Sequence, residues 1–347
     1  MKWLVIIPSL IFGIGTFIPF FKKDHWFFRL WEFPRPQLLF IKTACLIGVI
    51  LVLEISPLMV FLVLLLAAAL LYQIKKIFPY TFLGKKESKW IKESHEDQQI
   101  SLLIFNVYMH NKKFQKTLDL VERENPDVVM LVETDKKWQK ALSGLKDHYP
   151  YFIEYPLENT YGILFYSKLP IQNARVNFLV EKGIPSIFAQ IQLQSGQWID
   201  FYGIHPTPPI PPENDRSTER DIELILVGKK ALRSKNPVII AGDLNDVAWS
   251  KTSRMFQKIS RLLDPRKGRG FFNTFHADYF FARWPLDHIF HSNNFLLAGI
   301  RRLPHTGSDH FPILASLQFN PGKEKVQSYA GLSEKYSEVL EEKLEAL

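Results

Sequence analysis

Two stretches of this chain carry no charged side chain over a length that spans a bilayer, Trp3–Phe21 and Ile55–Ile74. A hydrocarbon core about 30 Å thick is crossed by ~20 apolar residues in a helix, so such runs restrict the amino-terminal quarter to helices in lipid or to a wholly apolar bundle. The second run contains MVFLVLLLAAALL and is the stronger of the two. The first carries Pro8, Gly13, Gly15 and Pro19, which membrane helices tolerate better than soluble ones. Between them, Pro36–Leu53 is apolar except for Lys42, whose stem can snorkel toward the headgroups. The expectation is three transmembrane helices, at 3–21, 36–54 and 55–74, within a membrane region 1–76. A cleaved signal peptide is the competing reading of the first run. No small-x-small site precedes FKKDHW, and further apolar segments follow closely.

Basic residues orient the segment. Lys22, Lys23, Arg29 and Arg35 fall in the first loop, and Lys75, Lys76, Lys85 and Lys86 follow the third span; the opposite side has Lys2. The positive-inside rule then predicts a multi-pass protein with its amino terminus outside and everything after the third span cytoplasmic, held in the inner membrane if the source is bacterial. Trp26, Phe27, Phe28 and Trp31 in the first loop fit an interfacial aromatic belt. The lipid bilayer is thus one expected partner.

Net charge is +8, but residues 1–95 hold 12 Lys/Arg against 5 Asp/Glu, and residues 96–347 hold 31 against 30. The basic excess belongs to the membrane region. A nearly neutral body weakens a nucleic-acid reading, because phosphate-tracking proteins carry a basic footprint. One cysteine, Cys45, excludes an internal disulfide framework and a multi-cysteine zinc site.

Residues 77–98 read as a polar linker, 99–320 as a folded domain, and 321–347 as an amphipathic helical tail with Tyr336, Leu340, Leu344 and Leu347 on one stripe. In the domain, apolar strand-like runs (ISLLIFNVY, DVVMLVET, YGILFYS, SIFAQIQLQ, WIDFYGIH, PVIIAGDLN, LDHIFHS, FPILASLQF) outnumber helical patterns. That mix predicts an α/β fold, a four-layered sandwich of two mixed β-sheets packed face to face with helices outside.

Polar residues interrupt these strands at their ends. Asn106 follows SLLIF, Glu133 follows DVVMLV, His205 follows IDFYGI, and Asp243 and Asn245 follow PVIIAG. Asp287 and His288 follow WPL; Asp309 and His310 follow TGS. Singly, each has an ordinary explanation: a turn, an Asx motif or, for Glu133, the start of a helix ETDKKWQKAL. Together they predict one polar site at C-terminal strand ends and adjacent turns. Carboxylate and amide oxygens without cysteine suit Mg²⁺ or Mn²⁺. A histidine backed by an aspartate serves acid–base chemistry, and further polar groups can hold anionic oxygens. No P-loop, G-x-S-x-G, H-E-x-x-H or G-x-G-x-x-G motif is present.

The ordered series FNV, LVET, YGILFYSKLPI, GIHPTPP, IIAGDLND, PLDHIF and GSDHFPI resembles the endonuclease/exonuclease/phosphatase superfamily, with its deoxyribonuclease-I-like fold, over roughly 98–320. FPRPQ and HPTPP are similar to its membrane-anchored bacterial branch. The resemblance implies Glu133 as main metal ligand with Asn106 beside it and Asp309 completing the site, and His310 as catalytic histidine paired with Asp287. It further implies that Asp243 orients or deprotonates the attacking water and that Asn245 and His205 hold phosphate oxygens. Tyr161 lies near where some members have an active-site tyrosine, or is a core residue. The expected activity is metal-assisted hydrolysis of a phosphodiester in nucleic acid or phospholipid. The alternatives are a small-metabolite phosphomonoesterase and a non-catalytic membrane scaffold. Arg261, Arg266, Lys267 and Arg269 offer a basic patch for nucleic acid; the aromatics Phe271, Phe272, Phe275, Tyr279, Phe280, Phe281 and Trp284 offer a lipid-facing or a core-packing surface.

Overall fold

A computed structural model describes residues 2–21, 23–211, 213–322 and Gln327; apart from residues 321, 322 and 327, the expected tail helix over 321–347 lies outside the described residues. The chain opens with α1 (Lys2–Gly15), a short α2 (Trp26–Leu30), α3 (Arg35–Val52) and α4 (Pro57–Ile77). Lys2–Phe21, Arg35–Val52 and Pro57–Tyr80 are long and apolar enough to cross a membrane. Ile6, Val49, Leu62 and Leu66 hold the three together. Ser56 caps α4 through the Met59 N–H at 3.3 Å, and Pro57 follows it, a residue favoured at the first helical position. Lys2 Nζ meets Glu54 at 3.0 Å, so both lie at one end of the bundle. Lys42 does not snorkel. It is buried and donates to Gln73 of α4, which in turn donates to the Arg35 carbonyl. An unpaired ammonium buried among these apolar helices would be costly, and Gln73 supplies its partner.

Residues 77–98 are polar, yet they are strapped onto the rest of the chain. Tyr80 donates to the Ala248 carbonyl at 2.7 Å, and Gly268 N–H donates to Pro79 O at 2.8 Å. Ser88 meets His291 Nε2 at 2.7 Å, and Trp90 bridges to Leu297.

The remainder is two sheets. Strands β1 (Gln99–Asn106), β2 (Val128–Val132), β3 (Tyr151–Tyr155), β4 (Ile163–Ser167), β5 (Ile171–Asn177), β6 (Ser186–Gln192), β7 (Trp198–Gly203), β8 (Val238–Asp243), β9 (Asp287–His291), β10 (Phe295–Arg302) and β11 (Ile313–Phe319) alternate with α5 (Phe114–Glu124), α6 (Lys136–Ala141), α7 (Thr218–Arg233) and α8 (Lys251–Ser260). One sheet has six strands in the order β10-β11-β1-β2-β4-β3, the other five in the order β5-β6-β7-β8-β9. Only β1–β2 and β7–β8 run parallel, so both sheets are mixed.

Strand periodicity sorts the side chains into layers. Leu102, Ile104, Val128, Met130, Ile239, Ala241 and Ile289 face the partner sheet and form the central core. The alternate residues Leu103, Phe105, Val129 and Leu131 pack with α5 and α6 through Leu120, Val121 and Trp138. On the other flank Ile240 and Phe290 pack with α7 and α8 through Leu224, Val227 and Phe256. Helix, sheet, sheet and helix make the four-layered sandwich expected from the sequence. The same parity carries Asn106, Asp243 and Asp287 into the space between the sheets.

Candidate active site

The polar strand-end residues singled out in the sequence gather at one end of the sandwich, but not all at C-terminal strand ends, and His288 turns to the outer face, bonded to Arg266 and the Asp246 carbonyl, away from the others. Asn106 and Asp243 end β1 and β8, whereas Asp287 is the first residue of β9 and His310 precedes β11. β9 runs antiparallel to β8 with Asp243 in register with Asp287, and β11 runs antiparallel to β1. The entry of one strand therefore meets the exit of its neighbour.

Asp243 is the hub. Its Oδ2 accepts from Asn106 Nδ2 at 3.0 Å and lies 3.5 Å from His310 Nε2 and 4.0 Å from His205 Nε2. Its Oδ1 accepts from the Asn245 N–H at 2.9 Å. His310 Nδ1 meets Asp287 Oδ2 at 2.7 Å. Asn106 Nδ2 also donates to Glu133 Oε1 at 2.7 Å, while its Oδ1 accepts from Tyr108 N–H at 3.0 Å. Asn106 thus shows its amino group to the carboxylates, and its oxygen would reach a cation there after a turn of the amide plane.

Local backbone geometry aims these groups. Glu133 and Asn245 have φ of 58° and 51°, left-handed conformations that side-chain-bearing residues rarely adopt and that cluster at functional sites. Glu133 does not start the following helix. Asp135 caps α6 through the Trp138 N–H at 2.8 Å, which leaves Glu133 to turn into the site. Gly242 has φ of 145°, and a Cβ there would stand 1.9 Å from the Ile204 carbonyl, so β7 and β8 could not close around His205 and Asp243 with any other residue.

The electrostatics follow from burial and neighbours. Burial raises the Glu133 carboxyl to about 7, against the Asn106 hydrogen bond that works to lower it. Burial works to lower His310, but the Asp287 and Asp243 carboxylates prevail and hold it at about 10, so it is an imidazolium at neutral pH. Burial works to raise Asp243 as well, yet the His310 and His205 rings keep it below the usual carboxylate range. Burial pulls His205 down to about 4 despite Asp243, so it is neutral.

These groups form the floor of a cavity of about 430 Å³ whose lining includes Glu133, Asp243, Asn245, Asp309 and His310. His205 is not on that wall. It lies behind Asp243, with its ring 5.2 Å from that of Tyr161, and its Nδ1 has no hydrogen-bond partner among the described residues. Tyr161 donates to Glu213, which does line the cavity.

A hard divalent cation suits this donor set. Glu133 has one hydrogen bond among the described residues, and Asp287 Oδ1 is buried without a partner. The cavity's carboxylates have no lysine among the lining residues, and its one arginine, Arg29, is bonded to Ser217 and Asp221. Asp243, Asp287 and His310 each bring a ligand atom within 4.8 Å of the others. The bond between His310 Nδ1 and Asp287 occupies that trio as an acid–imidazole chain, and Glu133 and Asp309 remain as the carboxylates outside it.

Three residues not assigned to the site from the sequence support it. Arg220 of α7, fully buried, donates to the Asn245 carbonyl at 2.7 Å and pairs with Asp246 at 3.7 Å. Ser308 donates to the Asn106 carbonyl at 2.7 Å and accepts from His310 N–H at 3.0 Å, tying the end of β1 to the turn that carries His310. Phe275 lays its ring 5.0 Å from that of His310. A buried arginine in a charged helix and a serine in a turn look ordinary in sequence; only Ser308, within GSDH, lies in a motif that could have pointed to it.

Of the four basic residues, Arg261 is exposed and the other three are engaged within the fold. Arg266 is buried against Asp264 at 2.8 Å, Lys267 pairs with Glu87 at 3.1 Å, and Arg269 stacks over Trp90 at 4.5 Å. The aromatic stretch divides. Phe271, Phe275 and Trp284 pack in a cluster with Trp249, and Phe272 packs on the central core, while Tyr279, Phe280 and Phe281 are exposed.

No curated protein matches the sequence. Among solved structures the chain is similar to a humanized TDP2 of D. rerio bearing 14 mutations, with a TM-score of 0.53 and 17% identity over 64% of this chain and 99% of that one. It is similar to an endonuclease/exonuclease/phosphatase family protein of Bacteroides thetaiotaomicron, with a TM-score of 0.53 and 18% identity over 64% and 98%. It is also similar to a Bacteroides thetaiotaomicron mannosyl-6-phosphatase, with a TM-score of 0.50 and 19% identity over 63% and 100%. At such identities the likeness is one of fold. In sequence, residues 103–310, more than half of the chain, match the Endonuclease/Exonuclease/phosphatase family, and the protein belongs to that family of metal-dependent phosphoester hydrolases.

Proposed function

We propose that this protein is a membrane-anchored phosphodiesterase, using Mg²⁺ or Mn²⁺, with its catalytic domain (99–320) on the cytoplasmic face. The observation that carries the reading is the His310–Asp287 pair, 2.7 Å apart and beside Asp243, at the floor of a cavity that Glu133 also lines. Glu133 and Asp309, with Asn106 beside them, would hold a divalent cation, which when bound would supply Lewis-acid polarisation of a phosphoryl oxygen. The chain's own residues do the rest. Asp243, below the usual carboxylate range and in reach of the cavity, orients a water and takes its proton as the water oxygen bonds to phosphorus. The ester P–O bond in line with it breaks. The His310 imidazolium, held in that state by Asp287, gives its proton to the departing alcohol oxygen. Asn245 steadies a phosphoryl oxygen from the cavity wall, and His205, behind Asp243, positions that carboxylate and does not reach the phosphate.

A diester is favoured over a monoester by charge. The cavity's cationic side chains are His310 and an Arg29 already bonded to Asp221, which suits a substrate of one negative charge better than a dianion. The anchor is supported by three helices long and apolar enough to cross a membrane, and the orientation by the lysines and arginines that flank them. The test uses the full chain in detergent with bis(4-nitrophenyl) phosphate. Wild type should hydrolyse it only with Mg²⁺ or Mn²⁺, and Glu133→Gln should lose at least about a hundredfold. Hydrolysis that is absent, or indifferent to chelator, would refute the reading.

A further inference from the structure

The cavity that ends on Asp243, Asn245 and His310 has a second wall that the chemistry does not use. Trp26, Leu30, Phe33 and Pro34, from the loop joining the first two apolar helices, face Ile210 and the prolines around it. The loop is built into the domain. Trp26 N–H donates to Asp215 O at 2.8 Å, and Ser217 N–H donates to Asp24 O at 2.9 Å. Arg29 bonds Ser217 at 3.0 Å and Asp221 at 2.7 Å, and Trp249 Nε1 donates to the Glu32 carbonyl at 2.8 Å. The Phe33 ring packs edge-on to Trp284 at 6.3 Å. Without this membrane-side segment the cavity would have one wall.

The wall's position fixes what can reach it. The loop joins Lys2–Phe21 to Arg35–Val52, so it lies where those two candidate spans begin and end. Leu30 lines the cavity and is still 53% exposed, as is Ile210 at 56%, so the cavity opens beside the loop. A second edge lies at the same level. Gln37, in the first turn of α3, donates to the Phe281 carbonyl at 3.0 Å, and Tyr279, Phe280 and Phe281 stand out from the surface there. Aromatic side chains exposed at the mouth of a spanning helix belong to the interfacial zone of a bilayer. The internal pairing of Arg266, Lys267 and Arg269 leaves Arg261 as the one exposed member of that basic stretch, too little charge for a nucleic-acid backbone to follow.

We propose that the substrate is a membrane lipid bearing a phosphodiester, entering from the bilayer surface. Its hydrocarbon part lies along Trp26, Leu30, Phe33 and Ile210, and its phosphate reaches Asp243, Asn245 and His310. This rests on the phosphodiesterase reading above and names the substrate class of the same site.

The experiment measures kcat/KM of the full chain, in one detergent with saturating Mn²⁺, on 4-nitrophenyl phosphodiesters whose second ester group is methyl, octyl or dodecyl. Wild type should prefer the dodecyl to the methyl ester by at least about tenfold, since each methylene buried on an apolar wall adds to binding. Leu30→Ser and Ile210→Ser change half-exposed side chains that the fold does not need. Each should cut its own dodecyl-to-methyl ratio at least about threefold. A wild-type ratio near one, with the methyl ester hydrolysed, overturns the lipid proposal and leaves the phosphodiesterase standing. A steep ratio that neither variant reduces overturns the assignment of this wall. No hydrolysis of any of the three esters overturns the phosphodiesterase reading and the lipid proposal with it.

Discussion

Asp287 and His288 are neighbours on β9, both fully buried, and they belong to two polar clusters with opposite fates. On the outer face of the strand, His288 has both ring nitrogens occupied: Nδ1 meets Arg266 at 2.6 Å, and Nε2 meets the Asp246 carbonyl at 2.8 Å. Arg266 in turn grips Asp264 with two bonds, at 2.9 and 2.8 Å. Burial, with Arg266 beside it, pulls His288 down to about 3, so it stays neutral. On the inner face, Asp287 keeps one oxygen unpaired, its partner His310 is charged, and Glu133 and Asp309 open onto the cavity. Each cluster holds a buried histidine and a buried aspartate. Completed hydrogen bonding makes one cluster a rivet of the fold, and incomplete bonding beside a cavity makes the other a site that can take a cation and a substrate.

The contrast is broken most severely by removing the carboxylate from the outer cluster. Asp264→Ala strands Arg266 in the interior, and breaking a buried pair in this way costs about 3–5 kcal/mol. Thermal unfolding of the detergent-solubilised chain should fall by many degrees, while any folded fraction keeps its metal dependence. The inner cluster responds to pH instead. Glu133 rises to about 7 from an ordinary 4.5, so in the metal-free protein the folded state holds that proton longer than the unfolded state. The stability it contributes is complete below 4.5 and is lost as pH rises through 7. A cation must displace the same proton, so below pH 7 apparent Mn²⁺ affinity should fall about tenfold per unit. Calorimetric titration at pH 6 and pH 8 reads this directly, and Glu133→Gln should flatten it. The smallest effect belongs to Ser308→Ala, which removes the tie between β1 and the turn that carries His310. A loss of about 1 kcal/mol in stability is expected, with a few-fold drop in kcat that exceeds any change in KM.

Much of the site was legible because strands have a period of two. An acid or amide that ends an apolar run on inward parity has nowhere to go except a polar pocket between the sheets, and Asn106, Asp243 and Asp287 obey that rule. Glu133 was named in the sequence as a site residue although its context serves equally well for a helix start, and in the structure Asp135 holds that helix-start position. The basic residues near 266 misled for a related reason. Charge is visible in a sequence, but its pairing with Asp264 and Glu87 is not. The three apolar amino-terminal helices were legible by length and hydropathy. Their docking through Arg29 and Trp26 onto residues near 215–221 was not, because contacts so distant along the chain leave no periodic signature.

The most direct test of the division between the two clusters is kcat with saturating Mn²⁺ for His310→Ala beside His288→Ala, each normalised to folded protein. The account predicts a loss of about a hundred- to ten-thousandfold for His310→Ala and a change of less than about threefold for His288→Ala. Equal losses in the two variants, or full activity in His310→Ala, would contradict it.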